Sequence, residues 1–160
     1  MALSLNSSGV VKTFADASAA GSAYGAMAFR NDILYVLNNQ TCKILAFNTL
    51  TADIVWTSST LCTGNSAKNL APLLWNNNGD GFYVSMSTSL HSINATNGEI
   101  QWSAQFPTTP ETQLSIPIFS AFDNTIVVRS QNWISKIFPN GTIWWNYQYI
   151  SVNEFAGQPA

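Results

Sequence analysis

Charged residues are scarce in this chain. Only 9% of its 160 residues are Asp, Glu, Lys or Arg, and the formal net charge is -2, whereas a typical soluble domain carries about 25% charged residues. Six basic residues are too few to build the positive surface that nucleic acids require. The Glu and Lys surfaces of exposed helices are also missing, and Ser, Thr and Asn supply the polarity instead. We therefore predict a sheet-rich protein that does not bind nucleic acid.

Long apolar runs are lacking as well. No apolar stretch approaches the roughly 20 residues of a membrane helix, and the N-terminus lacks the basic and apolar regions of a signal peptide. We predict no membrane span. Asn-X-Ser/Thr sequons stand at Asn6, Asn39, Asn94 and Asn140, but a chain this rich in Asn, Ser and Thr contains such triplets by chance. The compartment stays unassigned, with an extracellular or secretory one favoured.

Histidine occurs once, as His91. A histidine metal cluster is therefore excluded, and a catalytic triad would depend on this one residue. Its place in a predicted strand points the ring towards a neighbouring strand or solvent. The acidic residues stand in or beside predicted turns, where Asp bonds local backbone N–H groups; they include Asp32, Asp53, Asp80, Glu99 and Asp123. We predict no catalytic, cofactor-binding or metal-binding residues and no cofactor.

Cysteine occurs twice. Cys42 and Cys62 flank a predicted hairpin that would bring their strands side by side, so a disulfide can form. Two buried thiols explain the pair equally well, because free Cys packs as a small hydrophobic residue.

A repeated hairpin is the main positive feature. Asn97-Gly98 between two apolar runs is a strong hairpin signal, since Gly takes positive φ without steric cost. Trp102 stands four residues beyond this turn. The turn recurs every 43 to 46 residues, at Gly9, Ala52, Gly98 and Gly141, and the position four residues later holds Thr13, Trp56, Trp102 and Trp145.

A period of this length with several short strands in each unit indicates a β-propeller, in which each blade is a four-stranded antiparallel sheet. We predict an all-β fold that forms a partial propeller of about three full blades, with partial blades at both ends. Residues 1–14 are interpreted as the end of a preceding blade. The full blades are predicted at 24–59, 70–106 and 115–149, and 151–160 as the start of a further blade.

The repeat string Ser92-Ile93-Asn94-Ala95-Thr96-Asn97-Gly98-Glu99-Ile100-Gln101-Trp102 resembles the repeat of the pyrroloquinoline-quinone (PQQ) dehydrogenase-like propellers, Ala-x-Asp-x-x-Thr-Gly-x-x-x-Trp, with the Gly and the Trp of that pattern at Gly98 and Trp102. In that family the Trp of one repeat docks on the turn of a neighbouring repeat, and the Gly makes room for the indole. The resemblance implies structural repeat roles for Trp56, Trp102, Trp145, Gly9, Gly98 and Gly141. Ala52 in place of Gly and Thr13 in place of Trp depart from the pattern.

Enzymes of that family hold PQQ with a calcium ion bound by Glu, Asn and Asp, and many carry adjacent cysteines. The sequence has no Cys-Cys pair and no acidic cluster. We therefore interpret the chain as a non-enzymatic binding or protein-interaction scaffold within a longer propeller. The alternative is a fragment of a PQQ-dependent oxidoreductase whose cofactor and calcium ligands lie outside this chain.

The expected partners are other blades of the same propeller or a second copy of the chain, with a further protein or small ligand also considered. Three of the six tryptophans already have a repeat role. Among the others, Trp133 stands beside Gln131 and Asn132, and these three residues form the predicted ligand or partner surface.

Overall fold

The computed structural model describes residues 3–5, 11–13, 24–38, 40–62, 73–86, 88–106, 117–120, 122–129 and 133–148. Regular structure within these ranges is β-strand, and no helix there is long or apolar enough to cross a membrane. The strands are β1 (Leu3–Leu5), β2 (Val11–Thr13), β3 (Tyr24–Arg30), β4 (Ile33–Asn38), β5 (Lys43–Asn48), β6 (Ile54–Thr57), β7 (Leu74–Trp75), β8 (Gly81–Met86), β9 (Ser89–Asn94), β10 (Ile100–Gln105), β11 (Ile118–Ser120), β12 (Thr125–Arg129), β13 (Trp133–Ile137) and β14 (Ile143–Gln148).

Strands β3 to β14 form three four-stranded antiparallel sheets, each a meander of consecutive strands. We call β3–β6 the first blade, β7–β10 the second blade and β11–β14 the third blade. Strands β1 and β2 form a separate antiparallel pair. The predicted all-β fold class, with its four-stranded antiparallel blades, is confirmed.

The hairpin turns require unusual backbone conformations. Asn31 (φ 50°) and Asp32 (φ 60°) join β3 to β4, and Asn and Asp tolerate positive φ better than most residues. The turn that precedes the last strand of each blade has positive φ at Ala52 (68°), Gly98 (75°) and Gly141 (86°). The repeat therefore keeps one turn geometry even where its Gly is replaced by Ala.

A β-bulge recurs beside each repeat Trp. The strand register shifts between Ala46 and Phe47, between Ile100 and Trp102, and between Lys136 and Ile137. A bulge re-aims the side chains that follow it. In the second blade Ile100 consequently packs towards the first blade, whereas Trp102 packs towards the third blade.

The core lies between the blades, because alternate residues of a strand point to opposite faces of the sheet. One buried cluster joins Leu37 and Ile44 of the first blade to Phe82, Val84 and Ile93 of the second. A second cluster joins the second and third blades and contains Tyr83, Leu90, Ala104, Phe106, Ile126, Val128 and Ile137. The second blade thus buries both of its faces.

A disulfide connects Cys42, in the turn between β4 and β5, to Cys62, which follows β6. The two Cα atoms are 5.7 Å apart and 20 positions apart in sequence. Closing a loop of this length stabilises the folded chain by about 3 kcal/mol in the chain-entropy model. Of the two arrangements that the sequence left open for these cysteines, the structure has the bonded one.

Candidate functional site

Trp56 of the first blade lies on the β9–β10 turn of the second blade. Its indole Nε1 donates a hydrogen bond to the carbonyl oxygen of Ala95 at 3.1 Å. A methyl group on Gly98 would lie 2.8 Å from Cζ3 of the indole, closer than a Cβ can approach. The turn therefore needs glycine both for its positive φ and for the space beneath the ring.

Trp102 repeats this contact one blade later. Its Nε1 donates to the carbonyl oxygen of Pro139 at 2.7 Å, and a methyl group on Gly141 would lie 2.7 Å from Cδ2 of its indole. The ring of Tyr83 stands 5.6 Å from the Trp102 ring. Each of these two interfaces between blades is thus closed by a Trp above a turn.

Trp145 occupies the same position in the third blade but is 41% exposed. Tyr147 and Ile118 are 62% and 66% exposed. The register places Tyr147 opposite Ile134 and Ile118 opposite Val127, so these side chains share one face of the sheet. We call this surface, formed by Ile118, Val127, Ile134, Trp145 and Tyr147, the open face of the third blade.

One ion pair stands out in the described part of the third blade, between Lys136 and Asp123. The hydrogen bond from Lys136, with further hydrogen bonds from Ser120 and Thr125, holds the pKa of Asp123 far below its usual range. Lys136 Nζ also lies 4.7 Å from the ring centre of Trp144. These contacts join the β11–β12 turn to the strands beside it, in keeping with a turn role for Asp123.

A cleft of about 270 Å³ opens between the first and second blades, beside the β3–β4 and β7–β8 turns. Its aromatic walls are Tyr35, Trp56 and Trp75. The ring centre of Tyr35 lies 5.4 Å from that of Trp75, in an edge-on contact. It lies 5.7 Å from that of Trp56, where the two rings are tilted. Burial raises the pKa of Tyr35, and the nearby charge of Arg30 opposes part of that rise. We call this the aromatic cleft.

A second cleft, of about 210 Å³, occupies the corresponding place between the second and third blades. Its lining is polar, with Asn76, Asn78 and Gln101 among the residues that contribute. Asn77 Nδ2 donates to Asn124 Oδ1 at 2.9 Å across this interface. The two corresponding clefts thus differ in chemistry.

His91 is buried, with 7% of its surface exposed. It faces the neighbouring strand, where Nδ1 lies 2.7 Å from the Ser103 hydroxyl, whereas Nε2 has no hydrogen-bond partner among the described residues. Burial lowers the pKa of His91, and the nearby backbone of Leu61 offsets part of that shift. In the described ranges no three His, Cys, Asp or Glu side chains converge to hold a metal ion.

Of the three residues of the predicted ligand or partner surface, Trp133 alone lies within the described ranges. Trp133 is half-buried in β13 and pairs with Gln148, while Gln131, Asn132 and the repeat residue Gly9 lie outside the described residues.

The aromatic cleft was not predicted from the sequence. The available signal was that Arg30 and Trp75 each end the first strand of a blade, directly before a turn rich in Asn and Asp.

No protein-family model and no curated protein matches this sequence. Solved structures do. BamB from Moraxella catarrhalis aligns over 76% of this chain and 39% of its own, with 14% identity and a TM-score of 0.61. The fold is that of a β-propeller.

Two further propeller matches are the quinohemoprotein alcohol dehydrogenase from Comamonas testosteroni and a europium-containing methanol dehydrogenase. The first has 14% identity over 79% of this chain and 21% of that chain, with a TM-score of 0.61. The second has 13% identity over 79% and 25%, with a TM-score of 0.62. The expected resemblance to PQQ-like propellers is confirmed for the fold, and this chain spans well under half of each matched propeller.

Proposed function

We propose that this chain is a non-enzymatic propeller segment that binds a protein surface through the open face of its third blade. The observation that carries the proposal is the contrast between equivalent tryptophans. Trp56 and Trp102 each lie on a turn of the next blade, whereas Trp145 is 41% exposed. The open face thus presents the contact surface that the first two blades have already used.

The composition of the open face also supports protein binding. Trp145, Tyr147 and Ile118 project from one sheet, and aromatic side chains are enriched among the residues that dominate binding energy. Exposed apolar groups clustered in this way mark interaction sites more often than scattered ones do. The partners that fit are a further blade of the same propeller or the same surface of a second copy.

Catalysis is not part of the proposal, because the sequence offers one histidine, no adjacent cysteines and few acids. The acidic residues described in turns have local roles. Asp80, for example, accepts hydrogen bonds from Asn76 Nδ2 and from the backbone of Ala95, so turn geometry accounts for its position.

Light scattering over a range of concentrations tests the open face. We expect the chain to exceed its monomer mass of 17.4 kDa as concentration rises, and Trp145→Glu to return it towards the monomer. Asn146→Glu is the matched control, since Asn146 is also exposed but pairs with the buried Ser135 and so lies on the other face of the sheet. A monomer at every concentration, or equal dissociation by both variants, would contradict binding between copies.

A further inference from the structure

The aromatic cleft has walls that are held in place before any ligand arrives. The carbonyl oxygen of Ala95 accepts hydrogen bonds from both the Trp56 indole, at 3.1 Å, and the Tyr35 hydroxyl, at 3.3 Å. Trp75 packs edge-on against Tyr35 and against Phe82, with ring centres 5.4 and 5.6 Å apart. A ligand that entered would therefore meet ordered rings, which reduces the entropic cost of binding.

Arg30 lies at this cleft with its guanidinium above Trp75. Cζ is 5.1 Å from the ring centre, and the guanidinium rests against Gly79, where a Cβ would collide with it. No carboxylate among the described residues forms an ion pair with Arg30. Stacking uses the faces of a guanidinium and leaves its in-plane N–H donors available, so Arg30 is a fixed cation able to bind an anion.

Polar side chains other than Arg30 also line the aromatic cleft. Asn31, Asp80 and Thr96 contribute to the lining, and Asp80 lines the second cleft as well. Asp80 Oδ1 is held by Asn76 Nδ2 at 2.7 Å. A purely anionic ligand would be repelled by Asp80, whereas a ligand with both an acid group and hydroxyl groups can satisfy Arg30 and Asp80 together.

We propose that the aromatic cleft binds an acidic sugar, a single ring that carries a carboxylate and several hydroxyls. The C–H face of the ring would pack on the aromatic walls, the carboxylate would pair with Arg30, and a hydroxyl would donate to Asp80. The volume of about 270 Å³ lies just below the roughly 300–1,000 Å³ of pockets for drug-sized ligands. It therefore suits one sugar ring better than a long chain.

The second cleft provides an internal comparison. It has the corresponding position one blade later, but asparagines line it and Asn77 bonds to Asn124 across the interface. It presents no cation comparable to Arg30 in its lining. The proposed selectivity for an acid sugar therefore belongs to the first interface alone, and it does not depend on what the open face of the third blade binds.

NMR titration of the full chain with glucuronate tests the proposal. We expect saturable shifts of the indole N–H signals of Trp56 and Trp75, with a dissociation constant in the millimolar range. Glucose, which has the same ring without the charge, should bind at least tenfold more weakly, because charged hydrogen bonds contribute about 1.5–3 kcal/mol. Benzoate, a flat carboxylate without hydroxyls, should also bind more weakly than glucuronate.

Arg30→Gln should weaken glucuronate binding at least tenfold while leaving glucose binding unchanged. Lys43→Gln is the control, because it removes one positive charge at the other end of the same blade, where Lys43 pairs with Asn38. An unchanged indole signal of Trp102, which lies at the other interface between blades, would show that the free variant folds. The proposal is overturned if glucuronate causes no saturable shift in the wild type, if glucose binds equally well, or if Arg30→Gln and Lys43→Gln behave alike.

Discussion

Trp102 covers Gly141 so closely that a methyl group on the glycine would lie 2.7 Å from Cδ2 of the indole. Trp56 and Gly98 form the same pair one blade earlier. At the preceding repeat the sequence has Thr13 where the Trp would be and Ala52 where the Gly would be. The loss of the Trp and the loss of the Gly therefore occur together, as expected if the indole is what forbids a side chain at the turn.

Gly98→Ala should be strongly destabilising. A non-glycine residue in the left-handed region costs roughly 1–2 kcal/mol, and the added methyl group would also collide with Trp56, for which overpacking costs typically about 1–3 kcal/mol. We expect a loss of about 3 kcal/mol in the free energy of unfolding, measured by denaturant titration. A loss below about 1 kcal/mol would mean that the indole moves aside freely.

Ala52→Gly is the matched change at the equivalent turn, and we expect it to be nearly neutral. Relief of positive φ would contribute roughly 1–2 kcal/mol. Against this, the methyl group of Ala52 packs with Val36 and Phe47, and its loss costs up to about 0.8 kcal/mol, while the flexibility of Gly costs roughly 0.5–1 kcal/mol. A change in the free energy of unfolding of much more than about 1 kcal/mol in either direction, measured by denaturant titration, would show that one of these terms dominates.

Two substitutions of Trp102 separate its packing from its hydrogen bond. Trp102→Ala should cost about 3–5 kcal/mol, the usual range for a large core aromatic. Trp102→Phe keeps much of the ring but loses the donor to Pro139 at 2.7 Å, so the hydrogen-bond share of its cost should be about 1 kcal/mol. If Trp102→Ala left the unfolding midpoint unchanged, the docking role of this residue would be wrong.

The strands were predicted closely from the sequence because turn chemistry marks their ends. The turn positions predict strands at 33–38, 43–48, 81–86 and 89–94, and these are the bounds of β4, β5, β8 and β9. For the first strands of the second and third blades the sequence predicts 71–75 and 116–122, which is too long, because β7 covers Leu74–Trp75 and β11 covers Ile118–Ser120. Apolar residues continue beyond the pairing there, and composition alone does not show where a ladder stops.

The aromatic cleft could not be predicted in the same way. Arg30 and Gly79 meet because two turns from different blades lie side by side, and no local pattern reports the spacing between blades. The burial of His91 was equally hidden. Alternation of polar and apolar residues identifies an inner face only when the other face meets water, and β9 is buried over most of its length.

Titration with PQQ and Ca²⁺ examines the alternative that the chain is part of a quinoprotein oxidoreductase. We expect no saturable heat in calorimetry of the full chain, because the sequence lacks paired cysteines and an acidic cluster. Binding at micromolar concentration or tighter would favour the oxidoreductase alternative over the non-enzymatic proposal.

The last prediction concerns pH and follows from the burial of His91. Desolvation lowers the pKa of the folded ring below its ordinary value of 6.5, so the unfolded chain binds the proton more readily than the folded chain does. Stability therefore rises with pH in the interval between the two pKa values and falls as the solution is acidified through pH 6.5. The slope should be no more than about 1.4 kcal/mol per pH unit for this one proton.

Denaturant unfolding at several pH values between about 5.5 and 7.5 measures this slope. His91→Asn is the matched variant, since an amide can still bond the Ser103 hydroxyl but does not titrate. Because His91 is the only histidine in the sequence, the variant should lose nearly all of the pH dependence in this window. If wild type and His91→Asn had the same slope, the folded ring would have to accept its proton as easily as the unfolded one, so that the Leu61 backbone would offset the whole effect of desolvation and not a part of it.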